Sequence, residues 1–98
     1  MSRVILASQV RANFDQIFDF LFEFAPEFAA PRIEAIMAAI DVLQTSPLIG
    51  HPMAFGQREL IIATGASGYL ALYRYDPAKD TVFVLAVRSQ RELTYKLG

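Results

Sequence analysis

The stretch that most restricts the fold runs from Gln57 to Glu92, QRELIIATGASGYLALYRYDPAKDTVFVLAVRSQRE. β-Branched and aromatic residues crowd into three runs, and glycine, proline and aspartate are confined to the breaks between them. The pattern predicts strands over Arg58–Thr64, Tyr69–Tyr75 and Thr81–Arg88, joined by turns at Gly65-Ala66-Ser67-Gly68 and Asp76-Pro77-Ala78-Lys79-Asp80. In the second strand Tyr69, Ala71, Tyr73 and Tyr75 share one face, with Leu70, Leu72 and Arg74 on the other. In the third, strict alternation sets Val82, Val84, Ala86 and Arg88 against Phe83, Leu85 and Val87. Both faces of this meander are largely apolar, so each needs a cover.

The N-terminal half is read as supplying it. Arg3–Ala7 is an unbroken apolar run, expected to be a strand buried on both faces. Ser8 is placed as N-cap of a helix over Gln9–Phe24, whose inward stripe is Val10, Phe14, Ile17, Phe18, Leu21 and Ala25. Asp15, Asp19 and Glu23 line the wet face, and Phe20, Phe22 and Phe24 lie on the flanks. The apolar arc is roughly 200° wide, about twice what one sheet face requires. The flanking rings therefore belong to a second helix or to a partner. Pro31 would remove a hydrogen bond from a helix begun at Pro26, so the second helix is expected to be well formed only from Phe28. Ile33, Ile36, Met37, Ile40 and Leu43 form its stripe, and it pairs with the first helix as an antiparallel hairpin. Leu48, Ile49, Met53 and Phe55 are expected to pin the loop 48–56 to the body. Ser89-Gln90-Arg91-Glu92 has capping-box spacing, which predicts a short C-terminal helix through Lys96.

The chain of 98 residues suits a single α+β domain spanning 1–98. Its 54% apolar content and mean hydropathy of +0.33 exclude disorder and leave apolar surface for a partner. The absence of cysteine excludes disulfides, thiolate catalysis and cysteine-ligated metal. No apolar run reaches the ~18 residues of a membrane span and no signal-peptide pattern opens the chain, so the expectation is a cytoplasmic protein. A net charge of −1 hides an asymmetry: residues 1–45 carry six acids and three bases, residues 46–98 four acids and six bases. Seven of the nine basic residues are arginine, and Arg58, Arg74, Arg88 and Arg91 belong to the meander or its exit. Arginine suits carboxylate and phosphate recognition, yet it also simply frames sheet edges.

Chemistry-bearing residues are few. His51 is the only histidine and, without a second soft ligand, makes no transition-metal site; it reads as a surface or loop-packing residue. Asp15, Asp19 and Glu23 read as a solvated helix face. Glycine-rich phosphate loops and Ser-His-Asp patterns are absent, and no cofactor is expected. Tyr69 and Tyr73 share a face with Ala71 and read as core.

The order of strand, helical hairpin and three-stranded meander resembles the ParE/RelE superfamily of toxins from bacterial type II toxin–antitoxin (plasmid stabilisation) systems. The residues that carry the resemblance are Ser46-Pro47-x-x-Gly50, Arg58-Glu59-Leu60, Gly68-Tyr69-x-x-x-Tyr73-Arg74 and Val84-Leu85-Ala86-Val87-Arg88-x-x-Arg91. The resemblance implies a helical hairpin packed on a sheet of about four strands and a cognate antitoxin whose C-terminal segment wraps the toxin, with higher-order complexes possible. RelE-like members are ribosome-dependent mRNA endoribonucleases that use lysines and arginines, often with a C-terminal tyrosine. Where those bases tend to occur this chain has Ile61, Ala63 and Leu70, leaving Arg91 and Tyr95 as the sole nuclease candidates. ParE-like members resemble DNA gyrase inhibitors, and the depleted base set looks more like that non-enzymatic branch. On that reading Arg88, Arg91 and Tyr95 contact the target, and Phe20, Phe24, Arg58 and Arg74 contact the antitoxin. The RelE-like alternative, with ribosome and mRNA as target, stays open.

Overall fold

The computed structural model describes residues 1–64, 67–92, 94 and 95. In chain order the elements are β1 (Arg3–Leu6), α1 (Ser8–Phe24), α2 (Pro26–Asp41), β2 (His51–Pro52), β3 (Arg58–Thr64), β4 (Ser67–Asp76) and β5 (Thr81–Ser89). They build one five-stranded sheet in the order β1-β5-β4-β3-β2. β1 runs parallel to β5 and every other neighbour is antiparallel. The α1–α2 hairpin covers one face. Val10, Ile17, Ile36, Ile40 and Leu43 interlock there with Leu60, Ile62, Tyr69, Ala71, Tyr73, Val82, Val84 and Val87. Tyr69 and Tyr73 are core residues, as their shared face with Ala71 implies. No helix among the described residues is long and apolar enough to cross a membrane.

Several local expectations are corrected, each for a physical reason. Ser8 is the first helical residue rather than the cap; Ala7 takes the cap position with extended backbone and no side-chain bond. α2 begins at Pro26 and continues through Pro31. Pro26 occupies the first turn, where its missing N–H costs nothing, and Pro31 forfeits only a bond to the carbonyl of solvent-exposed Glu27. β1 is an edge strand, so Ile5 and Leu6 remain substantially exposed and Val4 alone packs against the core cluster. Ser67 and Gly68 belong to β4, paired with Thr64 and Ala63, while Gly65 and Ala66 lie outside the described residues.

The loop 48–56 is not pinned by its apolar side chains, for Leu48, Ile49, Met53 and Phe55 are all exposed. Polar contacts hold it. The Gly50 N–H donates to the buried Tyr73 hydroxyl (2.8 Å), and Arg58 Nη1 donates to the carbonyls of Gly50 (2.7 Å) and Leu48 (3.2 Å). His51 and Pro52 then pair with Glu59 and Arg58 as the sheet's far edge.

The largest departure lies in β5. Tyr73 pairs with Val84 but Leu72 pairs with Ala86, so Leu85 is an extra residue in a β-bulge. The alternation inverts beyond it, against the strict pattern read from the sequence. Val87 turns into the core opposite Ala71, and Ala86 and Arg88 turn to the sheet's outer face. Asn13 of α1 stabilises the break: its buried Oδ1 accepts the Val87 N–H at 2.9 Å.

The expected C-terminal helix does not form over the described residues. Residues 90–92 make a turn and 94–95 are irregular, while Leu93 and Lys96 lie outside the described residues. Ser89 Oγ accepts the Arg91 N–H (3.2 Å), and the Ser89 carbonyl accepts the Glu92 N–H (3.1 Å), closing a turn where a helix would start. Arg88 Nη1 also donates to the Glu92 carbonyl, withdrawing an acceptor that helix growth needs.

Candidate functional site

Strand register sets two rows across the outer face of the sheet. Glu59, Leu72 and Ala86 form one, and Ile61, Leu70 and Arg88 the next. The chain leaving β5 turns back over them. The Tyr95 hydroxyl donates to Glu59 Oε2 at 2.6 Å, and the Arg88 guanidinium sits 4.8 Å from the Tyr95 ring centroid. A ring that touches β5 at Arg88 and β3 at Glu59 must lie across β4, above Leu70 and Leu72. Both leucines are buried although they face away from the helices. His51 Nε2 lies 3.2 Å from the other carboxylate oxygen, Glu59 Oε1. Glu59 is only 8% exposed, so its two oxygens are satisfied by these two side chains at the sheet surface.

This environment sets the proton affinity of the phenol. Burial pushes the Tyr95 hydroxyl well above the ordinary tyrosine range; the Glu59 hydrogen bond and negative charge add to this, and Arg88 opposes it. Tyr95 is therefore a firmly held hydrogen-bond donor and a poor source of phenolate. The Arg88 guanidinium is similarly committed. Its Nη1 donates to the carbonyls of Ser89 (3.3 Å) and Glu92, and its buried Nε has no partner among the described residues.

The structure brings Arg88 and Tyr95 together and sets Arg91 apart from them. Arg91 is exposed and lines a groove with Ile17, Phe20, Leu21, Tyr69 and Glu92. Phe20 and Phe24 pack with tilted rings, centroids 4.9 Å apart and planes at 47°, and remain 56% and 69% exposed. With Phe22 and Phe28, also exposed, they make an apolar tip where α1 meets α2. Asp15, Asp19 and Glu23 are exposed, in keeping with a solvated face. Arg74 stands exposed on the outer face, where it lines a shallow hollow with Ile5, Phe83 and Leu85. Arg58 is half-buried and spends its donors on the loop carbonyls. Thus the residues expected to contact an antitoxin are spread over both sides of the molecule.

Two residues at the site had no role in the sequence reading. Glu59 was visible only as the middle of an Arg-Glu-Leu motif. The available signal was an acid in mid-strand facing the same way as Ile61, a costly place for a charge unless something pairs with it. Asn13, a polar residue within the apolar stripe of α1, was the other such signal.

The architecture is one shared by toxins of toxin–antitoxin complexes. The chromosomal ParDE system of Pseudomonas aeruginosa superposes with a TM-score of 0.74 at 19% identity, covering 91% of this chain and 96% of that one. The RelBE2 toxin–antitoxin complex of Mycobacterium tuberculosis gives 0.57 at 24% identity, covering 91% and 98%. At such identities these likenesses concern the fold. A search of curated proteins finds no match. The sequence pattern of the ParE toxin of the type II toxin–antitoxin system parDE matches residues 4–94, and this chain belongs to that family.

Proposed function

We propose that this toxin acts by inhibiting DNA gyrase and is neutralised by a cognate antitoxin. The observation that carries the reading is the composition of the outer face. RNA cleavage needs cations to stabilise the charge on the phosphorane-like transition state and a group able to move the 2′-hydroxyl proton. Ile61, Ala63 and Leu70 occupy that face where a nuclease would place bases. Arg88 is engaged by the Tyr95 ring and two carbonyls, and Tyr95 holds its proton tightly against Glu59. This equipment supports a binding surface better than a catalytic one. Arg88 and Tyr95 then present the C-terminal part of that surface to the target, and Arg91 contributes to target contact from the groove beside α1.

Antitoxin docking is assigned to the exposed Phe20–Phe24 pair and to Arg74, with Arg58 at the sheet edge. A single partner reaching both sides of a molecule 43 Å long and about 25 Å across must be extended, which supports a segment that wraps.

A supercoiling and DNA-cleavage assay with antitoxin-free protein tests the target. Loss of supercoiling with accumulating linear DNA is the expected result. Unaffected gyrase, together with mRNA cleavage on translating ribosomes that is lost in Arg91→Ala, would transfer the assignment to the endoribonuclease reading.

A further inference from the structure

We infer that Glu59 is a positioning residue: it seats Tyr95 across β4 and thereby shapes the C-terminal surface that meets the target. The inference rests on the gyrase reading for the words "meets the target" and on geometry alone for the seat. Glu59 is a carboxylate held at the sheet surface with almost no exposure, a costly arrangement unless both oxygens are bonded. One oxygen takes the Tyr95 hydroxyl from a chain segment 36 positions away, and the other faces His51 on the edge strand. The hydroxyl–carboxylate bond is charge-assisted and therefore stronger than a neutral one. Opposite it, Arg88 approaches the same aromatic ring from β5, so the ring is held at both ends.

Nothing else described fastens this segment at its far end. Among the described residues, the remaining hydrogen bonds of this segment are local, as from the Arg91 and Glu92 N–H groups to Ser89, or sit close to β5, as from the Gln90 N–H to the Gly68 carbonyl and in the Arg88–Glu92 contact. The bulge at Leu85 is part of the same device, because without it Arg88 would point into the core rather than under Tyr95. The charged groups facing the phenol are thus Glu59 from β3 and Arg88 from β5, with His51 from β2 acting through the carboxylate.

The experiment combines a structural and a functional readout on the full chain. Tyrosine ring-carbon NMR follows the titration of Tyr95, and amide hydrogen exchange follows residues 90–95, in wild type, Glu59→Gln, Tyr95→Phe and the double variant. Gln keeps the shape of the side chain but removes its charge. In Glu59→Gln the Tyr95 titration should fall toward the ordinary tyrosine value of about 10. Exchange at residues 90–95 should rise about tenfold while exchange in α2 stays unchanged. Gyrase poisoning should weaken equally in both single variants, with no added loss in the double variant. An unmoved titration and exchange in Glu59→Gln would overturn the seat. A loosened segment with undiminished gyrase poisoning would overturn the positioning role and leave the gyrase reading intact. Wild-type protein inert on gyrase, with the titration still sensitive to Glu59, would refute the gyrase reading and leave the seat standing.

Discussion

Gly50 should be the least replaceable glycine of the described chain, and the reason is space rather than backbone conformation. A methyl group at Gly50 would lie 2.6 Å from Tyr73 Cε1, 2.7 Å from its hydroxyl and 2.8 Å from the Glu59 carbonyl oxygen. None of these can yield cheaply: Tyr73 is fully buried, and the Glu59 carbonyl belongs to a strand paired on both sides. Gly50→Ala must therefore push the loop off the sheet edge. That movement breaks the bond from the Gly50 N–H to Tyr73, worth about 1 kcal/mol, and adds overpacking strain of about 1–3 kcal/mol. The expected loss is roughly 2–4 kcal/mol in urea unfolding, equivalent to a melting point lower by about 10–25 °C in a domain of this size. The double variant with Tyr73→Phe should lose about 1 kcal/mol less than the sum of the singles, because the same bond is broken only once. A Gly50→Ala protein within about 0.5 kcal/mol of wild type, or strict additivity with Tyr73→Phe, would refute this account.

Asn13→Leu should cost about 1–3 kcal/mol by leaving the buried Val87 N–H without an acceptor, and Val87 amide exchange should accelerate accordingly. Tyr95 and Tyr73 both have hydroxyl pKa values raised by burial, so the folded state keeps these protons longer than the unfolded chain. Their stabilisation is complete below pH about 10 and is lost as pH rises beyond it, so unfolding monitored from pH 8 to 11 should show a decline that Tyr95→Phe makes shallower. Phe55 is 90% exposed with φ at +61°, a region costly for an aromatic residue; Phe55→Asn should raise stability by about 0.5–1 kcal/mol. An unchanged or lower denaturation midpoint for that variant would contradict the reading.

Much of this protein was written locally. The limits of β3, the start of β5 and the stripes of both helices follow from periodicity, because a half-buried element must repeat its apolar residues at its own geometric period. The membership of Tyr69 and Tyr73 in the core follows from the same logic. The exposed Phe20 and Phe24 were legible as rings in excess of what one sheet face can bury. What escaped was non-local. One inserted residue at Leu85 inverts β5, and no pattern within the strand marks it, since Leu85, Ala86 and Val87 are apolar either way. Beyond the bulge β5 stays paired with β4 on one side, and on the other its Val87 N–H is taken by Asn13 of α1, a partner 74 positions away. The capping-box spacing at Ser89 was equally misleading, because Ser89 closes a local turn and Arg88 takes the Glu92 carbonyl. Short-range sequence thus determined the main elements and most of their inward faces, where hydrophobic burial acts residue by residue. The seat of Tyr95 on Glu59 was decided only when the sheet brought together side chains 36 positions apart, whose pairing energy no local window contains.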